Sequence, residues 1–172
     1  MRPVWPASGS PKSPVTVLSL SQDESLLAAV SSGRLYIFRS KDLHKGLCES
    51  VWEIGTEVDI VHMSWDPKDS GMLALLGTSG ELLLADVQQG SLKKVADDLE
   101  ITCFAWSPLG CSLAVGVDDC LKIYSTSSES FSESIKMACT DAQETAGISL
   151  RVDGIFWMKE NSICVTCEEI NN

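Results

Sequence analysis

The chain repeats one pattern of apolar and polar positions: an apolar strand, a polar turn, a strand rich in small residues, a second turn and another apolar strand. Apolar residues that alternate with polar ones over about 4–8 positions are typical of half-buried β-strands. Gly, Pro, Asp and Ser fill the gaps and predict turns. The repeats begin at Val15, Ile60 and Ile101, and a partial fourth begins at Val152.

Each repeat has a large apolar residue at the end of its first strand. These residues are Leu20, Trp65, Trp106 and Trp157. Their spacing of roughly 40–50 residues matches β-propeller blades, which have about 40–45 residues and four strands each. We expect the tryptophans to pack between neighbouring blades, and the alternative is that they are exposed interface anchors, where Trp is favoured. The sequence thus predicts an all-β, WD40-like β-propeller that is incomplete, with about three and a half blades.

Twelve strands are predicted in the three full repeats, the fourth of each blade being its outer strand. Small side chains recur in the second strand of each blade, where inner strands crowd together. The predicted strands are residues 15–20, 26–30, 35–38 and 48–53 in the first blade, 60–65, 72–76, 82–87 and 91–95 in the second, and 102–106, 112–117, 121–124 and 135–138 in the third.

The predicted domain organisation is a disordered leader at residues 1–14 followed by a partial propeller at 15–172. Its blades are expected at about 15–55, 56–99, 100–140 and 151–172, the last incomplete. We interpret the chain as a fragment or a truncated gene product with two open sheet edges, a known aggregation hazard. In the first strand Val15 and Val17 are expected to face inward, with Leu18 and Leu20 as further candidates.

Two polar stretches, Ser125–Glu133 and Cys139–Gly147, are expected to form an exposed, mobile connection open to insertion or modification. One outer strand near Ile135–Ala138 interrupts it. A short helix over Asp141–Ala146 is the alternative interpretation of the second stretch.

The charge balance restricts the class of partner. With 24 acidic and 13 basic residues the net charge is −11, which argues against direct nucleic-acid binding because phosphate contacts need clustered Lys and Arg. It permits a match to a basic protein surface, and an acidic surface that only confers solubility is the simpler alternative. Seven cysteines, mostly inside predicted strands, suit reduced thiols of a cytosolic or nuclear protein. No run is long enough for a membrane span, and the N-terminus does not resemble a secretory signal.

The sequence gives little indication of a catalytic site. His44 lies in a polar loop and His62 inside a predicted strand, and no nucleophile with an oriented base is recognisable. Cys164 and Cys167 form the one C-x-x-C pair, but residues three apart in a strand point to opposite faces. A thiol or metal enzyme built on that pair is a rival of a different class. We predict no catalytic, cofactor-binding or metal-binding residue and no cofactor, and the partner-binding residues stay unknown.

Paired acidic residues occur in three places and are interpreted as solvated charge, since Asp is a natural turn former. The acidic pairs are Asp97-Asp98, Asp118-Asp119 and Glu168-Glu169.

The repeats also depart from the regular WD repeat. The Gly-His dipeptide that usually opens such a repeat is missing, and the Trp-Asp dipeptide that usually closes its third strand is replaced by Phe38-Arg39, Ala85-Asp86 and Tyr124-Ser125.

Three segments carry a more specific resemblance: VLSLSQDESLLAAVSSGRLYIF at 17–38, ITCFAWSPLGCSLAVGVDDCLKIYS at 101–125 and RVDGIFWMKENSICVTC at 151–167. Together they resemble the N-terminal propeller of the CAN-type nucleoporin of the cytoplasmic filaments of the nuclear pore, with plant members most similar. The resemblance covers roughly residues 15–167, which is part of the family's seven-bladed propeller.

The resemblance implies a non-enzymatic docking module in mRNA export and nucleocytoplasmic transport, on the cytoplasmic face of the nuclear envelope. In the family this propeller docks a DEAD-box RNA helicase, partly through acid-to-base contacts, and other nucleoporins are further partners. No contact residue is transferred to this chain. The alternative function is a WD-like adaptor of another complex, such as a ubiquitin-ligase substrate receptor.

Overall fold

The fold was determined as a computed structural model that describes residues 11, 13–47, 49–95, 99–138, 148–159 and 162–171. The chain divides into two compact units, Met1–Val95 and Ala96–Asn172. Among the described residues one short helix, α1 (Ser40–Leu43), accompanies the strands. No helix in these ranges is long and apolar enough to cross a membrane.

The first unit contains two four-stranded antiparallel sheets, each with its strands in chain order. Each strand pairs antiparallel with the next one along the chain, so the last strand lies at the edge of its sheet. This is the order of a propeller blade. The strands are β1 (Val17–Leu20), β2 (Leu26–Ser31), β3 (Arg34–Arg39) and β4 (Trp52–Gly55) in the first sheet, and β5 (Ile60–Trp65), β6 (Met72–Gly77), β7 (Leu82–Asp86) and β8 (Ser91–Lys94) in the second.

The core of the first unit lies between these two sheets. Apolar residues at alternate positions share one face of a strand, so Leu35 and Ile37 of β3 face the second sheet together. Leu73 and Leu75 of β6 meet them from the other side, and all four side chains are fully buried. Burying one such side chain contributes about 1.5–3 kcal/mol, so the apolar alternation holds the two sheets together.

The second unit contains a third four-stranded sheet and a long two-stranded hairpin. The sheet runs β9 (Ile101–Trp106), β10 (Ser112–Val117), β11 (Cys120–Ser125) and β12 (Ser130–Lys136), and the hairpin is β13 (Ile148–Lys159) and β14 (Ser162–Asn171).

The hairpin packs against the third sheet around a smaller core. Val152 and Ile155 of β13 meet Ala114 and Leu121 of that sheet. Gly116 permits this close approach, because a Cβ at that position would lie 2.7 Å from Cγ1 of Val152. The third and fourth sheets therefore approach this closely because β10 has no side chain at this point.

The predicted packing of tryptophans between neighbouring blades is confirmed for Trp65 in the first unit and for Trp157 in the second. The indole Nε1–H of Trp65 donates to the carbonyl of Ser19 in the preceding sheet, at 3.1 Å, and that of Trp157 donates to the carbonyl of Ala105, at 3.3 Å. Trp65 and Trp106 are 5% and 8% exposed. The acceptors Ser19 and Ala105 occupy the same repeat position, so one hydrogen bond joins neighbouring blades in both units.

The expectation that Leu18 and Leu20 face inward is wrong. Leu18 is 60% and Leu20 49% exposed, and Val15 is also exposed. Val17 packs against the core between the first two sheets. Because side chains alternate along a strand, Leu18 points to the opposite face of the sheet from Val17.

The strand predicted at Ile135–Ala138 begins earlier, so the expectation of a mobile connection over Ser125–Glu133 is also wrong. A four-residue turn at 126–129 leads into β12, which pairs with β11. The Phe131 ring packs edge-on against Tyr124 at 5.2 Å between ring centres, and the Lys122 ammonium lies over the Phe131 ring. One aromatic residue in a serine-rich stretch supplies the cross-strand contact that orders this strand.

Other boundaries shift by a few residues. The outer strand of the first sheet is Trp52–Gly55, somewhat later than 48–53, and the fourth sheet begins at Ile148. The Cys139–Gly147 stretch, with its alternative helix over Asp141–Ala146, and most of the predicted leader lie outside the described residues.

Candidate docking surfaces

The turns after the first strand of each full sheet are closed by buried polar side chains. Ser21, Asp66 and Ser107 each follow the large apolar repeat residue directly, and each is less than a tenth exposed. The Asp66 carboxylate accepts hydrogen bonds from the backbone N–H groups of Lys68 and Asp69, and the Ser107 hydroxyl donates to the carbonyl of Gly110 at 2.7 Å. These side chains form hydrogen bonds with backbone groups of their own turns, so their role is to stabilise the turns.

The corresponding turn of the first sheet contains a carboxyl group, that of Asp23, whose pKa is strongly lowered. Asp23 accepts hydrogen bonds from the hydroxyls of Ser21 and Ser25, at 2.7 and 2.8 Å, and from the backbone N–H of Ser25. These donors, with Ser21 contributing most, lower the pKa of Asp23 to about 2. The shift comes from hydrogen bonds that favour the ionised form, and Asp23 is a turn residue at the surface.

The histidines and cysteines considered from the sequence are dispersed. His44 follows α1, and His62 lies in β5, where partial desolvation lowers its pKa. Cys164 is exposed and pairs across the hairpin with Phe156, whereas Cys167 packs against the core of the second unit. The two thiols thus lie on opposite faces of β14. The described ranges hold no group of three or more His, Cys, Asp or Glu side chains that could bind a metal.

The acidic pairs are likewise distributed over turns and a strand. Asp118 and Asp119 form the turn between β10 and β11. The Cys120 thiol and then the Lys136 ammonium lower the pKa of Asp119, and the Lys136 Nζ lies 3.1 Å from its carboxylate. Glu168 forms an ion pair with Arg151 across the β13–β14 hairpin. Asp97-Asp98 falls outside the described residues.

In each unit, one sheet face of the described residues presents a pair of exposed apolar side chains at alternate positions of a strand. On the first sheet, Leu18 and Leu20 lie on the face away from the second sheet. On the fourth sheet, Phe156 and Met158 are 59% and 70% exposed. An inner face of a blade is normally covered by the next blade, so these are surfaces of the kind that packs against a further sheet.

A third surface was not anticipated from the sequence: a groove of about 570 Å³ between the outer parts of the first and second sheets, called here the rim groove. Ile54, Val58, Leu83 and Leu92 form its apolar floor, and Glu57, Glu81 and Lys94 supply its charged groups. No motif in the sequence marks these residues, because they come from three strands and two connections. Only the packing of the first two sheets brings them together.

The comparisons with known proteins agree with this architecture. The chain resembles the β-propeller domain of Cps50 (Swd1) from Myceliophteria thermophila, with a TM-score of 0.65 and 14% identity over 88% of this chain and 48% of that one. It also resembles the C-terminal WD40 domain of Sif2, with a TM-score of 0.66 and 20% identity over 91% of this chain and 44% of that one. The chain thus spans less than half the length of these structures, which establish its WD40-like propeller fold.

No curated protein matches the sequence. The family described as the NUP159/214 beta propeller matches residues 3–170, which is nearly the whole chain. Nucleoporin propellers and WD40 domains are typically non-enzymatic scaffolds that interact with proteins. The chain therefore belongs to the NUP159/214 β-propeller family and is part of a nuclear pore component.

Proposed function

We propose that this chain is a non-enzymatic docking module on the cytoplasmic face of the nuclear pore that acts in mRNA export by binding a DEAD-box RNA helicase. The match to the nucleoporin propeller family over residues 3–170 is the observation that carries the proposal. The resemblance of segments 17–38, 101–125 and 151–167 to the CAN-type propeller supports the same assignment.

The charge of the chain supports binding to a basic protein surface. With a net charge of −11, it attracts such a surface over distances comparable to the Debye length, about 10 Å at 0.1 M salt. Exposed charge pairs steer association and weaken as salt screens them. Binding through acid-to-base contacts must therefore depend on ionic strength.

Binding of the purified full chain to the mRNA-export DEAD-box helicase of the same organism tests the partner. Fluorescence anisotropy measured over a series of salt concentrations is expected to show an affinity that falls as salt rises. A helicase variant with neutral residues in place of its surface lysines should bind more weakly, whereas one with the same number of changes on the opposite face should not. Absence of binding overturns the helicase assignment, and salt-independent binding overturns the electrostatic part.

A separate experiment in cells tests the proposed location at the nuclear pore and the proposed role in mRNA export. A fluorescently tagged chain is expected at the nuclear rim, immunogold labelling is expected on its cytoplasmic side, and depletion should retain polyadenylated RNA in the nucleus. Labelling on the nuclear side overturns the cytoplasmic location. Normal RNA distribution after depletion overturns the export role while leaving the pore assignment intact.

A further inference from the structure

Two cysteines of the second unit lie at the contact between the third and fourth sheets. Cys103 belongs to β9 and Cys167 to β14, and both pack against the same apolar core. Both thiols are reduced and half-buried, whereas Cys111 and Cys164 are exposed. The two residues are far apart in the sequence, so only the packing of the hairpin against the third sheet makes them neighbours.

The backbones of the two sheets come into direct contact at this point. Sheets that pack face to face usually lie about 10 Å apart, which is too far for a disulfide, whose Cα atoms lie within about 7 Å of each other. Here the backbone N–H of Val152 in β13 donates to the carbonyl of Asp118, in the turn after β10, at 2.7 Å. The Thr102 hydroxyl of β9 donates to the Val152 carbonyl. Because Gly116 permits this approach, the separation of the sheets does not exclude a covalent bond between them.

A β-bulge directs the Cys103 side chain towards Val152. Thr102 is an extra residue in the pairing of β9 with β10, and such a residue changes the direction of the neighbouring side chains. As a result, the Cys103 Sγ lies 4.0 Å from the Val152 carbonyl oxygen. The same sulfur and the Cγ1 of Val152 border the space beside Gly116, at 2.9 and 2.7 Å from the position that a Cβ would take there.

Cys167 reaches Val152 from the other strand of the hairpin. It is the residue of β14 that lies directly opposite Val152. Since both backbone groups of Val152 bond to the third sheet and its turn, the two residues form a pair of the kind that is not joined by hydrogen bonds, with Cα atoms about 4.5 Å apart. Directly opposed side chains share one face of a sheet, so Cys167 faces the third sheet as Val152 does. Both thiols are therefore neighbours of Val152.

The electrostatics of the site agree with this proximity. Burial raises the pKa of the Cys103 thiol, and the negative charges of Asp153 and Cys167 act in the same direction. A raised pKa lowers the fraction of reactive thiolate. We therefore expect the pair to stay reduced until an oxidant is present.

We propose that Cys103 and Cys167 form a redox-sensitive pair that hydrogen peroxide converts into a disulfide between the third and fourth sheets. One thiolate attacks the peroxide, the O–O bond breaks, and a sulfenic acid and one water form. The second thiol then attacks the sulfenic sulfur, the S–O bond breaks, and a second water leaves with the remaining thiol proton. Two thiols are thus oxidised by two electrons while one peroxide is reduced to two waters. This inference is independent of the helicase and of the location at the nuclear pore.

The disulfide locks the hairpin onto the third sheet. It joins β9 to β14 and closes a long loop of the chain, and such a link stabilises a fold mainly by restricting the unfolded state. The cytosol keeps thiols reduced, so disulfides that form there are usually transient and report oxidation. We expect the link to form under oxidative conditions and to be reversed by thiol reductants.

Mass spectrometry of the wild-type chain tests the bond directly. The purified full chain is treated with hydrogen peroxide, its remaining thiols are blocked with N-ethylmaleimide, and it is digested without reduction. The expected main disulfide joins the peptides of Cys103 and Cys167 in protein that runs as a monomer, and dithiothreitol removes it. Absence of this linked peptide, a greater amount of another pairing, or a link found only in dimers overturns the proposal.

Thermal unfolding tests the lock. Oxidation should raise the unfolding midpoint of the wild-type chain by at least about 5 °C, and dithiothreitol should reverse the rise. Cys167→Ser and Cys103→Ala should each abolish the rise, whereas Cys164→Ser, on the exposed face of the same strand as Cys167, should retain it. Circular dichroism of each variant before oxidation separates loss of folding from loss of the link, and the peptide map of the wild-type chain needs no variant. An unchanged or lower midpoint in protein that carries the link, or an equal rise in Cys167→Ser, overturns the lock.

Discussion

The two compact units each contain consecutive sheets, and they differ in the width of the second one. In the first unit both sheets have four strands, so β4 and β8 lie side by side and enclose the rim groove. In the described part of the second unit, β12 ends a four-stranded sheet, whereas the next sheet has the two strands β13 and β14, and Ile135 on β12 is 50% exposed. In both units the inner strands form an apolar core and the same tryptophan hydrogen bond. The rim groove additionally requires an outer strand in each of two neighbouring sheets.

The largest expected effect comes from the apolar cores, of which each unit has its own. Leu75→Ala removes a fully buried side chain from the first unit and is expected to lower the free energy of unfolding by about 2–5 kcal/mol through lost burial and a residual cavity. Leu121→Ala in the smaller core of the second unit should cost towards the lower end of that range. Urea denaturation followed by circular dichroism measures both, with Leu18→Ala at an exposed position as the control. Equal stability of Leu75→Ala and Leu18→Ala would contradict the assignment of the core.

The contact between the two sheets of the second unit depends on Gly116. Gly116→Ala places a Cβ 2.7 Å from Cγ1 of Val152 and 2.9 Å from Sγ of Cys103, and overpacking of this kind costs about 1–3 kcal/mol. Gly55→Ala in β4, which has nothing within 4 Å of the new Cβ, is the matched control. Chemical denaturation should show a lower midpoint for the first variant and an unchanged or higher midpoint for the second. A Gly116→Ala protein as stable as the Gly55→Ala protein would disprove the tight contact between β10 and β13.

The repeated tryptophan hydrogen bond should matter more where it is more buried. Trp65→Phe keeps most of the apolar ring but leaves the Ser19 carbonyl without its donor, which is expected to cost about 1–2 kcal/mol. The side chain of Trp157 is only half-buried. Trp157→Phe should therefore lower the free energy of unfolding by less than Trp65→Phe does, because water can replace the lost donor to the Ala105 carbonyl. Thermal unfolding of the two variants measures the difference. A larger loss for Trp157→Phe would reverse this ranking of the units.

The smallest effect is the pH dependence that Asp23 contributes to the stability of the first unit. The folded pKa of Asp23, about 2, lies below its ordinary value of 3.8, so the ionised carboxylate stabilises the fold above the ordinary value. This contribution is lost as the pH falls through the folded pKa. Asp23→Asn should therefore flatten the acid limb of the stability curve, measured by urea denaturation at a series of acidic pH values. Glu24→Gln is the control for removal of a neighbouring charge, and an acid limb unchanged in Asp23→Asn would show that Ser21 and Ser25 do not hold the carboxylate as described.

The sequence by itself determined most of the strands and the blade order. The bounds of β5 and β10 were predicted as observed, from two different patterns. In β5 the apolar Met63 and Trp65 alternate with His62 and Ser64, as in a half-buried strand, whereas β10 is a short run of small apolar residues between two turns, as in a strand buried on both faces. The repeat position of Trp65 and Trp157 predicted their packing between neighbouring blades, because one structural environment recurs from blade to blade. Weak patterns failed, as in Ser125–Glu133, where Phe131 alone supplies the apolar contact that orders β12.

Tertiary structure decided the features that depend on packing between sheets. Leu18 and Leu20 are as apolar as Val17, and only the orientation of β1 against the second sheet leaves them exposed. The rim groove combines Ile54 and Glu57 with Glu81 and Leu92, which are separated along the chain by connections and strands. Local alternation encodes which residues form a strand and share a face, but the neighbour of each face and the cleft between two sheet edges arise from three-dimensional packing, which no short stretch of sequence specifies.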